Sequence, residues 1–219
     1  MSGVDRLCGA CIAGDLPRAL SLLDDAASAI FPHSGSLTAQ SSVFKLQTVY
    51  NGSTGRSPLY FAAGKGHLQV VQALLERHPY MVSAPNKFGT SPLSWACYNG
   101  HEKVVKCLLS RGAKAGINDA SKAGDKALTA ACVRGHLSIV ELLLQEGADP
   151  LYTDNDGCSP LYRTCISKPE EDDARIAIAS ALLSRLKAHK APVDANSLSW
   201  AASHSLDRVA QQIESANKV

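Results

Sequence analysis

The chain has 219 residues, 45% of them hydrophobic and only 5% aromatic, with a formal net charge of +2. That balance is far from the basic character of a nucleic-acid-binding domain, and no run of roughly 18 apolar residues is present that could cross a bilayer. The opening MSGVDRLCGA lacks a basic segment leading into an apolar one, so no signal peptide is expected and the location is expected to be cytoplasmic or nuclear.

Residues 4–24, VDRLCGACIAGDLPRALSLLD, predict two short helices joined at Gly14, with Leu7, Ala10 and Cys11 on the face of the first and Ala19, Leu22 and Leu23 on the second. Residues 25–53 carry about 19 residues beyond the spacing seen later in the chain. Their first part, AASAIFPHSGSLTAQSS, reads as a loop, while VFKLQTVY holds enough apolar residues to fold back. Three similar stretches follow: SPLYFAAGKGHLQVVQALL from Ser57, SPLSWACYNGHEKVVKCLLSRGA from Ser91, and KALTAACVRGHLSIVELLL from Lys126. In the second of these, Ser91 is placed to cap a helix with Pro92 in its first position. Leu93, Ala96 and Cys97 share a face, and Asn99 and Gly100 end the helix. A second helix follows His101, with Val104, Val105, Leu108 and Leu109 as its apolar stripe and Gly112 as its stop. Such helices are too short to persist alone in water, so the copies must stack.

The first-helix leucines, Leu59, Leu93, Leu128 and Leu161, recur at spacings of 34, 35 and 33 residues. A fifth stretch begins with DNDGCSPLYRTC, but ISKPEEDDA then replaces the Gly-His turn and lengthens the interval between helices by six residues. Pro169 and its acidic neighbours read as an exposed insertion over 167–173. The last stretch, ANSLSWAASHSLDRVAQQIES over 195–215, keeps Leu198, Ala201, Ala202, Val209 and Ile213 but has a polar second half.

A period near 33 with a turn and two helices per unit is the mark of ankyrin repeats. Through GTSPLSWACYNGHEKVVKCLLSRGA and DKALTAACVRGHLSIVELLLQEGAD the chain closely resembles that family. The resemblance implies an all-α solenoid of about six helix-turn-helix units, with projecting hairpin fingers at segments such as APNKFG and NDASKAG and a concave face. Residues 1–24 then form an N-terminal capping repeat, 25–53 an insertion, 54–186 four repeats and 187–219 a C-terminal capping repeat. Arg163 stands where the family has a buried apolar residue; a desolvated Arg needs a partner, expected among Glu170, Glu171, Asp172 and Asp173. Trp95 and Trp200 stand at buried Leu places and are expected in the core.

Cys8 and Cys11 form a CxxC, a spacing used by redox and zinc sites. Yet Cys11, Cys97, Cys132 and Cys165 fall where Ala63 and Ala202 stand in other repeats, which makes them slightly enlarged alanines, and no second CxxC or CxxH completes a zinc site. Only Cys8 and Cys158 are left open to thiol chemistry. His67, His101 and His136 recur with the repeat and are expected to hydrogen-bond the inter-helix turns rather than to meet at one metal. Asn51-Gly52-Ser53 matches a glycosylation acceptor only incidentally. With no catalytic motif found, the chain reads as a non-enzyme without cofactor or metal.

What remains is a surface. The family's gripping positions map onto Thr54, Arg56 and Lys65, then Lys87, Phe88, Thr90, Tyr98 and Asn99, then Lys122, Asp125, Val133 and Arg134, and finally Asn155, Asp156 and Ile166. Phe88 and Tyr98 are expected to centre a patch, rimmed by Lys65, Lys87 and Arg134, that suits an acidic protein partner; alternatively, Phe88 folds back onto its own hairpin. The function implied is non-catalytic protein binding by a monomer, or more specifically a regulatory inhibitor or assembly factor that occludes an enzyme or complex subunit. A redox or metal protein using Cys8 and Cys11 is the alternative of another class.

Overall fold

The computed structural model describes residues 3–30, 55–166 and 172–188, together with residues 197 and 211. Among the described residues there are five helix pairs and no strand: α1 (Gly3–Ala13) and α2 (Leu16–Ile30), α3 (Pro58–Lys65) and α4 (Leu68–Arg77), α5 (Pro92–Tyr98) and α6 (Glu102–Ser110), α7 (Ala127–Val133) and α8 (Leu137–Gln145), α9 (Pro160–Ile166) and α10 (Asp172–Ala188). Short 3-10 turns at Pro79–Ser83 and Ala113–Gly116 follow α4 and α6. None of these helices is long and apolar enough to cross a membrane.

Three of the first helices, α3, α5 and α9, start at a serine followed by proline. Ser57 sits in extended backbone, and its Oγ accepts the Tyr60 N–H at 3.0 Å while Pro58 takes the first helical position. Ser91 does the same for Ser94 at 3.1 Å, and Ser159 for Tyr162 at 3.0 Å. Termination is equally local, since Gly66 adopts a left-handed φ of 77° and its N–H returns to the carbonyls of Ala62 and Ala63. A residue with a side chain resists that conformation.

The described residues form two compact units, 1–96 with 103–115 and 97–102 with 116–219. In the first, α1 packs on α3 and α2 on α4, so first helices make one layer and second helices another. Leu7, Cys11, Leu59, Ala63 and Val71 fill the space between the layers, none more than 1% exposed. In the second unit α7 packs on α9 and α8 on α10 in the same two-layer manner, around Leu128, Val140, Leu161, Cys165 and Ile178.

The histidines tie repeat to repeat. His67 Nε2 faces the Ile12 carbonyl at 2.9 Å, and His136 Nε2 faces the Tyr98 carbonyl at 3.3 Å. A carbonyl only accepts, so the proton sits on Nε2 and the ring donates. The bond goes to the end of the preceding repeat's first helix, not to the histidine's own turn. Each ring also covers a left-handed glycine of that preceding repeat, Gly14 for His67 and Gly100 for His136; a Cβ on either would stand 2.6 Å from the ring.

Several expectations change. Helix α2 runs on through residues 25–30, which had read as loop, because AASAI offers good helix formers with no Gly or Pro to stop them. Residues 172 and 173 begin α10 rather than lying in an acidic insertion, and an acid in a helix's first turn is favourable. The rest of the insertion, 31–53, residues 167–171 of the acidic insertion, Trp200 and nearly all of the C-terminal capping repeat lie outside the described residues, so the count of six repeats is not confirmed. Trp95 is only partly buried. It stacks on Tyr60 with ring centroids 5.4 Å apart and lies against Gly64, filling the space that a side chain there would need.

Gly100 (φ 78°) and Gly157 (φ 75°) separate two costs. A Cβ on Gly157 meets nothing within 4 Å, so Gly157→Ala is expected to lose only the left-handed penalty, about 1 to 2 kcal/mol. Gly100→Ala adds the collision with His136 and should lose at least about 1 kcal/mol more in urea unfolding. Equal losses would show that the histidine contact carries no stability.

Candidate functional site

Three finger turns share one construction. Asn86, Ser121 and Asp154 each present a side-chain oxygen to two backbone N–H groups: Asn86 Oδ1 to Phe88 and Thr90 at 2.8 and 3.0 Å, Ser121 Oγ to Ala123 and Asp125 at 3.3 and 3.1 Å, and Asp154 Oδ1 to Asp156 and Cys158 at 3.0 and 2.9 Å. The backbone N–H of each also donates to the residue four positions on, Thr90, Asp125 or Cys158. These are side-chain-locked turns of the kind Asn, Ser and Asp favour. Residues at their tips are therefore held rather than swept through solvent.

In the first unit, Phe88 stands at a finger tip and is 50% exposed. It does not fold back, and Lys87 Nζ lies over its ring, 5.5 Å from the centroid. Lys87 and Lys65 are both exposed, and Thr90 is half-buried with its backbone engaged by Asn86. Arg56 lies over the Tyr60 ring at 5.4 Å, and Thr54 lies outside the described residues. In the second unit, Arg134, at the end of α7, covers the half-buried Tyr98 ring at 4.9 Å from its centroid. Each aromatic is thus paired with a cation, an arrangement that adds attraction beyond burial.

Asn155 is exposed, but its amide Nδ2 donates to the Lys122 carbonyl at 2.8 Å, so it ties one finger to the next. Asn99, Val133 and Ile166 are half-buried, and Lys122, Asp125 and Asp156 are exposed. Lys126 Nζ lies 3.9 Å from the Tyr152 ring centroid and 3.8 Å from Asp149 Oδ2, and the Tyr152 hydroxyl donates to the Gly124 carbonyl.

Arg163 overturns its expectation. Its Nε donates to Asp154 Oδ2 and its Nη2 to Asp156 Oδ2, both at 2.7 Å. Among the described residues its partners come from the finger that precedes α9, whereas Glu170 and Glu171 of the expected acidic run lie outside the described residues. Asp154, whose role the sequence reading missed, has a fully buried carboxylate that locks the turn through one oxygen and binds Arg163 through the other. Burial alone would raise that carboxyl, but the guanidinium and the N–H groups of Cys158 and Asp156 outweigh it and hold it below the usual carboxylate range.

The thiols are packing groups. Cys8, Cys11, Cys97, Cys132 and Cys165 are buried, and all seven cysteines are free. Burial, helped by Asp5, pushes Cys8 up to about 11, and burial with Cys8 pushes Cys11 up to about 12, so neither is a thiolate near neutral pH. Burial likewise holds His136 below the ordinary imidazole value. Among the described residues no group of three His, Cys, Asp or Glu side chains could hold a metal ion.

The family model for ankyrin repeats, in three copies, matches residues 26–119 and 112–194. No curated protein matches the chain. Ankyrin repeats are generally protein–protein interaction modules and typically non-catalytic.

Two measurements check this geometry. A group whose folded pKa is depressed stabilises above its unfolded pKa and loses that effect as pH falls through the folded value. Arg163→Leu is therefore expected to cost about 2 kcal/mol at neutral pH and to flatten the unfolding free energy below roughly pH 4; an unchanged acid limb would remove the pair from the stability account. With a small thiol reagent on the native chain, half-buried Cys107 and Cys158 should react first and Cys8 and Cys11 only with unfolding. Fast reaction at Cys8 would restore the redox alternative.

Proposed function

Because the chain belongs to the ankyrin-repeat family, we propose that it is a non-catalytic module that grips an acidic protein partner with its finger tips and first-helix ends. The observation that carries this reading is Phe88: a large apolar side chain, half exposed, on a turn locked by Asn86 and flanked by a lysine. An aromatic fixed before binding loses little entropy on docking, and aromatics with cations dominate interface hot spots. Lys87 supplies positive charge beside it and exposed Lys65 adds to the charge of the first unit, while Tyr98 with Arg134 supplies an aromatic–cation pair in the second. Thr90, Asn99 and Asn155 contribute shape; the Asn155 amide is already committed to Lys122.

This reading has the chain act as a monomer in the cytoplasm or nucleus, where acidic faces of other proteins are its targets. The experiment is affinity capture with quantitative mass spectrometry on the wild type, Phe88→Ala, Lys87→Glu and Arg134→Glu. The partner enriched by the wild type should fall at least about tenfold with Phe88→Ala and lose its salt sensitivity with the charge reversals. Undiminished capture by all three variants with unchanged melting would move the binding face elsewhere.

A further inference from the structure

The second unit carries a groove between the end of α8, the segment that follows it and the last turn of α10. Leu144, Ala148, Asp149, Pro150, Leu151 and Arg185 line it, and it encloses about 440 Å³, within the range of sites that take small ligands or single side chains. Leu151 stands at its edge 48% exposed, although its neighbours Ala148 and Pro150 are buried. The wall that carries Leu151 is fixed. Asn118 reaches across from an earlier loop, its Nδ2 donating to the Gly147 carbonyl at 3.2 Å and its Oδ1 accepting the Asp149 N–H at 2.9 Å, and Asp149 Oδ1 accepts the Leu151 N–H at 2.9 Å. A wall held this way needs no reorganisation to receive a ligand.

The charges around the groove do not cancel. Asp149 faces Lys126 at 3.8 Å, whereas exposed Arg185, in the last turn of α10, has no ion-pair partner among the described residues. Among the described residues one guanidinium without an ion-pair partner thus stands beside an exposed leucine, and guanidinium is the side chain best suited to bind carboxylate in two-point fashion. We infer that this groove docks a peptide segment of a protein partner that carries an apolar side chain, seated against Leu151 and Pro150, close to a carboxylate that pairs with Arg185. It is a second docking point, independent of Phe88.

The probe is a displayed library of short random peptides selected on the full-length chain, followed by titration of enriched peptides against the wild type, Leu151→Asp, Arg185→Glu and Phe88→Ala. Enriched peptides should share an apolar residue near Asp or Glu, bind at least about tenfold more weakly to Leu151→Asp and Arg185→Glu, and bind Phe88→Ala as they bind the wild type. Leu151→Ser repeats the test should Leu151→Asp melt early. The inference is overturned by peptides that lack a carboxylate, by binding insensitive to both groove substitutions, or by an absence of enrichment. Loss of binding with Phe88→Ala also overturns it, since the peptides then belong to the finger surface. So does self-association of the wild type that Leu151→Asp abolishes, because a second copy then fills the groove.

Discussion

Short helices are the constraint on which this architecture depends. Helices α5 and α7 have seven residues each, against the roughly 12 to 15 that an isolated helix needs in water. Neither helix supports itself: α7 packs on α9 of the next repeat, and the carbonyl end of α5 is bonded by the His136 ring. Stability in such a chain is a sum over neighbouring contacts rather than the property of one central core. A fault at one junction is therefore felt first by the repeats on either side.

Much of this was legible because its causes are local. Ser57, Ser91 and Ser159 announce helix starts by a hydroxyl followed by proline, and glycines such as Gly66 and Gly100 mark the ends by the backbone they permit. The leucine spacing showed how units recur and the Cys–Ala equivalence showed which thiols are packing. Arg163 was misread for the opposite reason. Its sequence neighbourhood offered a run of acids just ahead, but the finger curls back over the first helix and brings Asp154 and Asp156 within reach. Only the folded path reveals which acid is near. Residues 25–30 were misread through their composition, since serine-containing alanine runs serve loops and helices alike until packing decides. The Asn118 bridge leaves no signal in the sequence, because it joins loops of successive repeats.

The candidate surface joins both kinds of information. That Phe88, Tyr98 and nearby cations occupy finger and first-helix positions followed from the repeat alignment. Their states did not: Phe88 stands out on a locked turn, whereas Tyr98 is roofed by Arg134 and spends its carbonyl on His136. Two residues of similar type in adjacent positions of the repeat thus offer different things, one an apolar tip and the other a flat cationic cover.

Lys126 shows what happens when a repeat lacks its own starting signal. It stands where three other repeats have Ser57, Ser91 and Ser159, gives no side-chain bond to the helix, and places a positive charge at a helix end that disfavours one. Asp149, 23 residues further along, offsets that charge, and the Tyr152 ring lies against the same ammonium group. The start of α7 is consequently written in residues that leave the ribosome after it. Part of what steadies this helix end is thus supplied by the segment that leads into the next repeat.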